Sequence, residues 1–111
     1  MAIPELEIHQ VQTTLEDICS RRTIPDEVTV RIEARGNKVN LVESRRMFID
    51  PREWFDCKVA QLEFTPQTNS WTLYWFDLKN KRHQYPTGRH KDTVEKLVCE
   101  IDRDPTGIFW D

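Results

Sequence analysis

Residues 71–76 constrain the fold more than any other segment, because they are apolar or aromatic on both faces of an extended chain. Such a segment predicts a central β-strand that is covered on each side. A polar turn at residues 77–81 then leads into a short basic strand at residues 82–85, which ends at Pro86. The two strands predict a hairpin that is buried at one end and can bind a ligand at the other.

Two amphipathic helices flank the predicted strands. Residues 6–19 place apolar side chains at three- and four-residue spacing, and residues 94–101 repeat that spacing. Alternation of apolar and polar residues predicts further strands at 28–35, 38–45 and 59–64. We therefore predict an α+β fold with an N-terminal helix, an antiparallel meander of about five strands and a C-terminal helix. Sm-like and other small barrels share this element order, so the sheet is either curled into such a barrel or open and covered by helices.

A two-residue turn at 36–37 fixes the pairing of the first two strands, because Gly-Asn favours this turn. The pairing places Glu43 opposite Val30 and Arg45 opposite Val28, on the core side of the sheet. Glu43 and Arg45 then point the same way. We expect them to form an ion pair or to grip a polar ligand.

The composition limits the class of protein. The chain has 111 residues, a formal net charge of -3 and a pI of about 5.6. These values predict one domain over residues 1–111 and exclude a protein whose whole surface neutralises phosphate. Cys19, Cys57 and Cys99 lack metal-ligand spacing, so we expect reduced thiols, no metal and, without a nucleotide fingerprint, no cofactor. No apolar leader or long apolar run occurs, which predicts a soluble cytoplasmic protein with no membrane contact.

Residues 79–91 form a candidate ligand site, because they contain five cations, two histidines and one tyrosine but no acid. Cations beside a stackable ring are what single-stranded RNA or DNA would use. The residues assigned to this hypothetical site are Lys81, Arg82, His83, Tyr85 and Arg89, with Glu43 and Arg45 as further ligand candidates. The alternative is a solvated turn and edge strand whose charges prevent aggregation.

Two pairs of aromatic residues are candidates for binding a protein partner. Residues 50–56 predict a loop that carries Trp54 and Phe55. These side chains either bind a partner or close one end of the core. Phe109 and Trp110 belong to an apolar tail that we expect to pack onto the body, and they are also partner-binding candidates.

The sequence does not identify an enzyme. Residues 56–58 and 77–79 match the acidic-x-Lys half of metal-dependent nuclease sites, but such tripeptides are common by chance in a charged chain. His83, Glu43 and Arg45 would suffice for metal-free RNA cleavage, provided that the fold brings them together. We therefore assign no catalytic residue and keep a small nuclease as an alternative.

Several motifs carry a resemblance to a known family. They are Val-Glu-Ser-Arg at 42–45, Trp-x-Leu-Tyr-Trp-Phe at 71–76, His-x-Tyr-Pro at 83–86 and Asp-Arg-Asp-Pro-Thr-Gly-Ile-Phe-Trp at 102–110. With the helical N-terminus, they resemble the small bacterial family called domain of unknown function 3024 over nearly the whole chain. The resemblance implies no activity, cofactor or catalytic residue, because the family has none assigned.

We therefore expect a non-catalytic protein-interaction or self-association module. The alternative in a different class is local binding of RNA or single-stranded DNA by residues 79–91. The two differ in their response to salt, since a phosphate binder loses affinity steeply as salt rises and an apolar contact does not.

Overall fold

The computed structural model describes residues 5–85 and 91–110, with the backbone alone at residues 91 and 92. The helices and strands follow one another as α1 (Glu5–Arg22), β1 (Val28–Arg35), β2 (Lys38–Arg46), β3 (Trp54–Thr65), β4 (Ser70–Phe76), β5 (Arg82–Gln84), β6 (Lys91–Asp92) and α2 (Val94–Arg103). The predicted α+β class is confirmed, with one helix before an antiparallel meander and one helix after it.

The strands form one antiparallel sheet in the order β1-β2-β3-β4-β5, and β6 pairs with β4 beside β5. The sheet is open, because β1 and β5 lie at opposite ends of this order and do not pair with each other. The alternative of a closed small barrel was therefore wrong. Strand β6 was not predicted, since two residues are too few to show an alternating pattern.

The predicted register of β1 and β2 is confirmed. Gly36 has a φ of 60°, which a glycine adopts without strain, and Val30 pairs with Glu43 while Val28 pairs with Arg45. The side chain of Asn37 donates to the backbone oxygen of Phe64 at 3.0 Å, which joins this turn to β3.

The prediction of a loop over residues 50–56 was wrong at its second half, because β3 already begins at Trp54. The pairing of β2 with β3 shifts between Leu41 and Val42, where Val59 is the extra residue of a β-bulge. An extra residue reverses the face of every side chain before it, so residues 54–64 show no continuous alternation in sequence. The turn between the two strands is confined to residues 47–53.

Both helices cover one face of the sheet. They lie side by side and run in the same direction, because Gln10 donates to Glu95 near their first turns and Arg21 pairs with Asp102 at 2.9 Å near their last. The core between the helices and the sheet includes Val11, Leu15, Ile18, Leu41, Leu62, Leu73, Leu97 and Ile101, all at most 2 % exposed. In the part of the chain that the structure describes, no helix is long and apolar enough to span a membrane.

The C-terminal tail packs onto the body as predicted. Phe109 is 6 % exposed and belongs to the core cluster. Trp110 donates from its ring nitrogen to the backbone oxygen of Ile101 at 2.8 Å, and the Arg22 guanidinium lies 3.9 Å from the centre of its ring. Phe109 is therefore not exposed for a partner in this structure.

Candidate functional site

The residues of the predicted basic site are divided between the two faces of the sheet. Arg82 lies on the face that the helices leave uncovered, where its guanidinium donates to Gln61 at 2.8 Å and to Glu63 at 3.2 Å. The same guanidinium lies 4.0 Å from the centre of the Tyr74 ring. Lys81 is exposed on the turn before β5. Arg82 is thus held flat on the sheet by three neighbours.

His83 and Tyr85 lie on the opposite, helix-covered face. His83 stacks on Trp75 with ring centres 4.8 Å apart, and its Nε2 lies 2.8 Å from the Asp77 carboxylate. This hydrogen bond is the main cause that lowers the pKa of Asp77. Tyr85 is 1 % exposed, its ring stacks on Phe109, and its hydroxyl donates to a carboxylate of α2 at 2.8 Å. A ring so buried does not offer a face to a nucleic-acid base, and Arg89 lies outside the described residues.

Glu43 and Arg45 form the expected ion pair, with Nε 2.8 Å from Oε1. The hydrogen bond from this guanidinium to Glu43 raises the pKa of Arg45. Two strands, β3 and β4, separate Glu43 on β2 from His83 on β5, which corresponds to about 14 Å at the usual strand spacing. The structure therefore does not bring these three residues together as the RNA-cleavage hypothesis required.

The carboxylates of the two acidic-x-Lys tripeptides are already engaged. Asp56 accepts hydrogen bonds from the Ser44 hydroxyl and the Arg31 guanidinium, and these bonds lower its pKa, the serine contributing most. Asp77 binds His83 and the backbone N–H of Lys79 at 2.9 Å. Within residues 5–85 and 91–110, no three His, Cys, Asp or Glu side chains are grouped as metal ligands.

Five of the eight large apolar side chains that are exposed among the described residues lie at the end of the β2–β3 hairpin. We call them the apolar tip, and they are Met47, Phe48, Ile49, Trp54 and Phe55, with exposures of 39 %, 99 %, 90 %, 40 % and 43 %. The sequence pattern indicated Trp54 and Phe55 as partner-binding candidates but did not indicate Phe48 and Ile49. Their signal was a run of three apolar residues next to a proline-containing turn, a pattern that is unfavourable on a surface without a function. Trp54 and Phe55 are not members of the core cluster.

A cleft of about 670 Å³ lies between the first half of β3 and the turn that follows β4. Its apolar lining comprises Trp75, Phe76, Ile108 and Phe109, which are buried or half-buried, and its polar lining includes Asp56, Asp77 and Asn80. Cys57, Lys58 and Leu78 form an exposed part of its border. The cleft exists because β3 pairs with β4 only as far as Ala60 opposite Trp75, while β3 itself continues to Trp54.

The described side chains on the helix-free face of the sheet carry a net charge opposite to that of the whole chain. Among residues 5–85 and 93–110, the alternation of each strand and the observed register put six cations on this face, namely Arg31, Arg35, Lys38, Arg46, Lys58 and Arg82, and three carboxylates, Glu33, Asp56 and Glu63. Six minus three gives +3 for these side chains, against -3 for the chain. Three of the cations lie over the aromatic rings of Trp54, Tyr74 and Phe76, at 5.3, 4.0 and 5.3 Å from their centres.

The chain belongs to the family that its motifs resemble. The family model described as Domain of unknown function (DUF3024) matches residues 3–111. No curated protein and no solved structure matches the chain. Family membership is therefore established, and the function has to be argued from the surfaces described above.

Proposed function

We propose that this chain is a non-catalytic protein-interaction module that binds its partner through the apolar tip. The observation that carries the proposal is the exposure of Phe48 and Ile49, at 99 % and 90 %. Neighbouring apolar side chains that stay in water are costly, and larger exposed patches mark sites of protein contact. Leu78, on the turn after β4, is also fully exposed and adds to the apolar surface near the cleft.

The tip is supported by regular hairpin structure. β2 and β3 pair along the full length of the stem, and the backbone N–H of Met47 donates to Glu53 at 2.9 Å. Within the turn, the Asp50 carboxylate accepts the backbone N–H of Arg52 at 3.2 Å. Binding through such a surface loses less conformational entropy than binding through an unstructured segment.

The proposal is tested by comparing three forms of the chain as affinity baits in the cells that produce it. The forms are the wild type, the double variant Phe48→Ser, Ile49→Ser, and the control Leu6→Ser, which changes a side chain 84 % exposed on α1. We expect proteins that the wild type and the control recover, including other copies of the chain, to be depleted at least about tenfold with the tip variant. Equal recovery by all three baits refutes the proposal.

A second candidate function is the binding of single-stranded nucleic acid by the helix-free face. The opposite sign of its charge to that of the whole chain supports this candidate, because phosphates are attracted by a local positive field. Arg82 also supports it, since a guanidinium held flat on Tyr74 exposes its other side to a base. This surface differs from the predicted one, which included Tyr85.

Fluorescence anisotropy of labelled single-stranded RNA and DNA at low and physiological salt tests the second candidate. Binding should weaken steeply with salt and fall in Arg82→Ala and Lys58→Ala, because both cations lie on the helix-free face. Lys96→Ala is the matched control, since it removes an exposed cation of α2 on the other side of the molecule. An absence of binding at low salt, or an equal effect of all three changes, rules this function out.

We place the proposed interaction in the cytoplasm. Cys57 and Cys99 are exposed free thiols, and Cys19 is a half-buried one. Free thiols are typical of reducing compartments, which supports this location. Fractionation of the producing cells tests it, and recovery of the chain outside the cytoplasmic fraction would contradict it.

A further inference from the structure

We infer that the apolar tip of one copy of this chain inserts into the cleft of a second copy, and that the second copy does the same in return. The inference rests on the proposed function, in which the apolar tip binds a protein, and it adds the identity of the partner and of the acceptor site. Both surfaces lie at the same end of the molecule, where β3 extends beyond β4. Two copies related by a two-fold axis can therefore exchange tips in a closed dimer.

The tip and the cleft have matching apolar surfaces. Phe48 and Ile49 are 99 % and 90 % exposed, so they bury little of their surface on their own hairpin. The cleft has an apolar lining that includes Trp75 and Ile108, both of which are half-buried. Its volume of about 670 Å³ lies within the range in which proteins bind ligand-sized groups. Insertion would remove apolar side chains from water on both copies.

The charges of the two surfaces also match. Lys58 borders the cleft, its ammonium faces the Phe76 ring at 5.3 Å, and no carboxylate of the described residues lies within ion-pair distance of it. Asp50 follows Ile49 in the turn, and its partner Arg52 is 89 % exposed. When the tip of one copy enters the cleft of the other, Asp50 approaches Lys58 at the border of that cleft, and opposite charges of this kind help to select a partner. The two-fold axis repeats this contact.

The outer edge of β3 beside the cleft is unpaired between Trp54 and Val59 among the described residues. Residue 53 accepts a backbone hydrogen bond from Met47, so residues 53, 55 and 57 face β2 and residues 54, 56 and 58 face outward. No described strand pairs with that outward edge before Ala60. An open edge of this kind is a template for another chain, and the hairpin of a second copy would cover it.

Disulfide trapping in the full-length chain tests the contact directly. In a Cys99→Ser background, Ile49→Cys introduces a thiol at the tip, and native Cys57 lies at the cleft. Within one copy, positions 49 and 57 are more than about 13 Å apart along the hairpin, beyond the reach of a disulfide. We expect mild oxidation to give a covalent dimer that is lost when Cys57→Ser is added. Leu6→Cys, in place of Ile49→Cys, is the control and should give little covalent dimer under the same oxidation.

A charge exchange tests the geometry. Asp50→Lys and Lys58→Asp should each weaken the dimer by about tenfold or more in sedimentation equilibrium, because each creates two like-charge contacts. The double variant Asp50→Lys, Lys58→Asp should recover most of the association, since both pairs are then reversed. Circular dichroism of each variant identifies any that does not fold. Lys58→Asp changes only the border of the cleft, so a loss of association in this variant is not caused by a change in the tip.

A third measurement separates tip-to-cleft contact from tip-to-tip contact. The double variant Phe48→Ser, Ile49→Ser has an altered tip and an intact cleft, whereas Lys58→Asp has an intact tip and an altered cleft. A mixture of the two should associate more strongly than either variant alone, because the intact tip of one can enter the intact cleft of the other. The inference is overturned if the chain is strictly monomeric at millimolar concentration. It is also overturned if a dimer forms but Ile49→Cys does not cross-link to Cys57, or if the mixture of the two variants associates no more strongly than either alone. In either case, the proposed function stands if the tip variant still loses another protein in the affinity comparison, and it fails if nothing depends on the tip.

Discussion

The carboxylate of Asp104 fixes the C-terminal tail that lines the cleft, and its replacement should release that tail. Asp104 is the C-cap residue that directly follows α2, and it has a left-handed backbone, with φ of 48°. Its two carboxylate oxygens accept the backbone N–H groups of Phe109 at 3.2 Å and Trp110 at 3.1 Å. One side chain therefore supports both the end of the helix and the return of the tail.

Three replacements separate these two roles. Asp104→Ala loses two hydrogen bonds to a charged acceptor, about 1 kcal/mol each, and adds about 1 kcal/mol for a left-handed alanine. Removing a negative charge from the negative end of the helix dipole offsets about 0.5 kcal/mol, so the expected net loss is about 2.5 kcal/mol. Asp104→Gly loses the same bonds without the backbone strain, about 1.5 kcal/mol. Asp104→Asn keeps one acceptor and tolerates the left-handed backbone, so about 1 kcal/mol is expected.

Equilibrium unfolding in urea, followed by far-ultraviolet circular dichroism, measures these differences. The expected order of stability is wild type, Asn, Gly and then Ala at position 104, with the tail released first in the least stable variants. An alanine variant that loses less than about 1 kcal/mol, or a glycine variant less stable than the alanine one, would show that Asp104 does not act in this way.

Three further predictions concern pH, the core and a buried hydroxyl. The hydrogen bond from His83 lowers the folded-state pKa of Asp77 below its ordinary 3.8. The ionised Asp77 therefore stabilises the folded state above pH 3.8, and this stabilisation is lost as the pH falls through the folded-state pKa. The urea midpoint of the wild type should therefore fall more steeply below about pH 4 than that of Asp77→Asn, and parallel curves would contradict this. Leu97→Ala at 0 % exposure should cost about 2–5 kcal/mol, whereas Leu6→Ala at 84 % exposure should cost under about 0.5, in the same urea assay. Tyr85→Phe should cost about 1 kcal/mol through loss of its hydroxyl bond, and an unchanged midpoint would refute that role.

The placement of the candidate site residues shows what local patterns predict well. Strand alternation predicts which side chains share a face, so it placed His83 and Tyr85 together and Glu43 beside Arg45. Alternation does not show which of the two faces of the sheet the helices cover, nor how deeply a given side chain on that face is buried. The burial of Tyr85 follows from contacts with Phe109 and α2, which are remote in sequence. The ligand- and partner-binding roles of these residues stay predictions.

By itself, the sequence determined the order of the two helices and of β1 to β5, the apolar faces of both helices and the register of β1 with β2. These features depend on the repeat of a single segment or on a turn of two residues, so local rules suffice. Only the tertiary structure decided where β3 begins, that the sheet stays open, and that a cleft opens beside Lys58. The start of β3 and the cleft depend on β3 extending beyond the end of β4, and the open sheet depends on which strands pair. Hydrogen bonds and packing between segments distant in the chain set both the strand ends and the pairing, and no local periodicity records them.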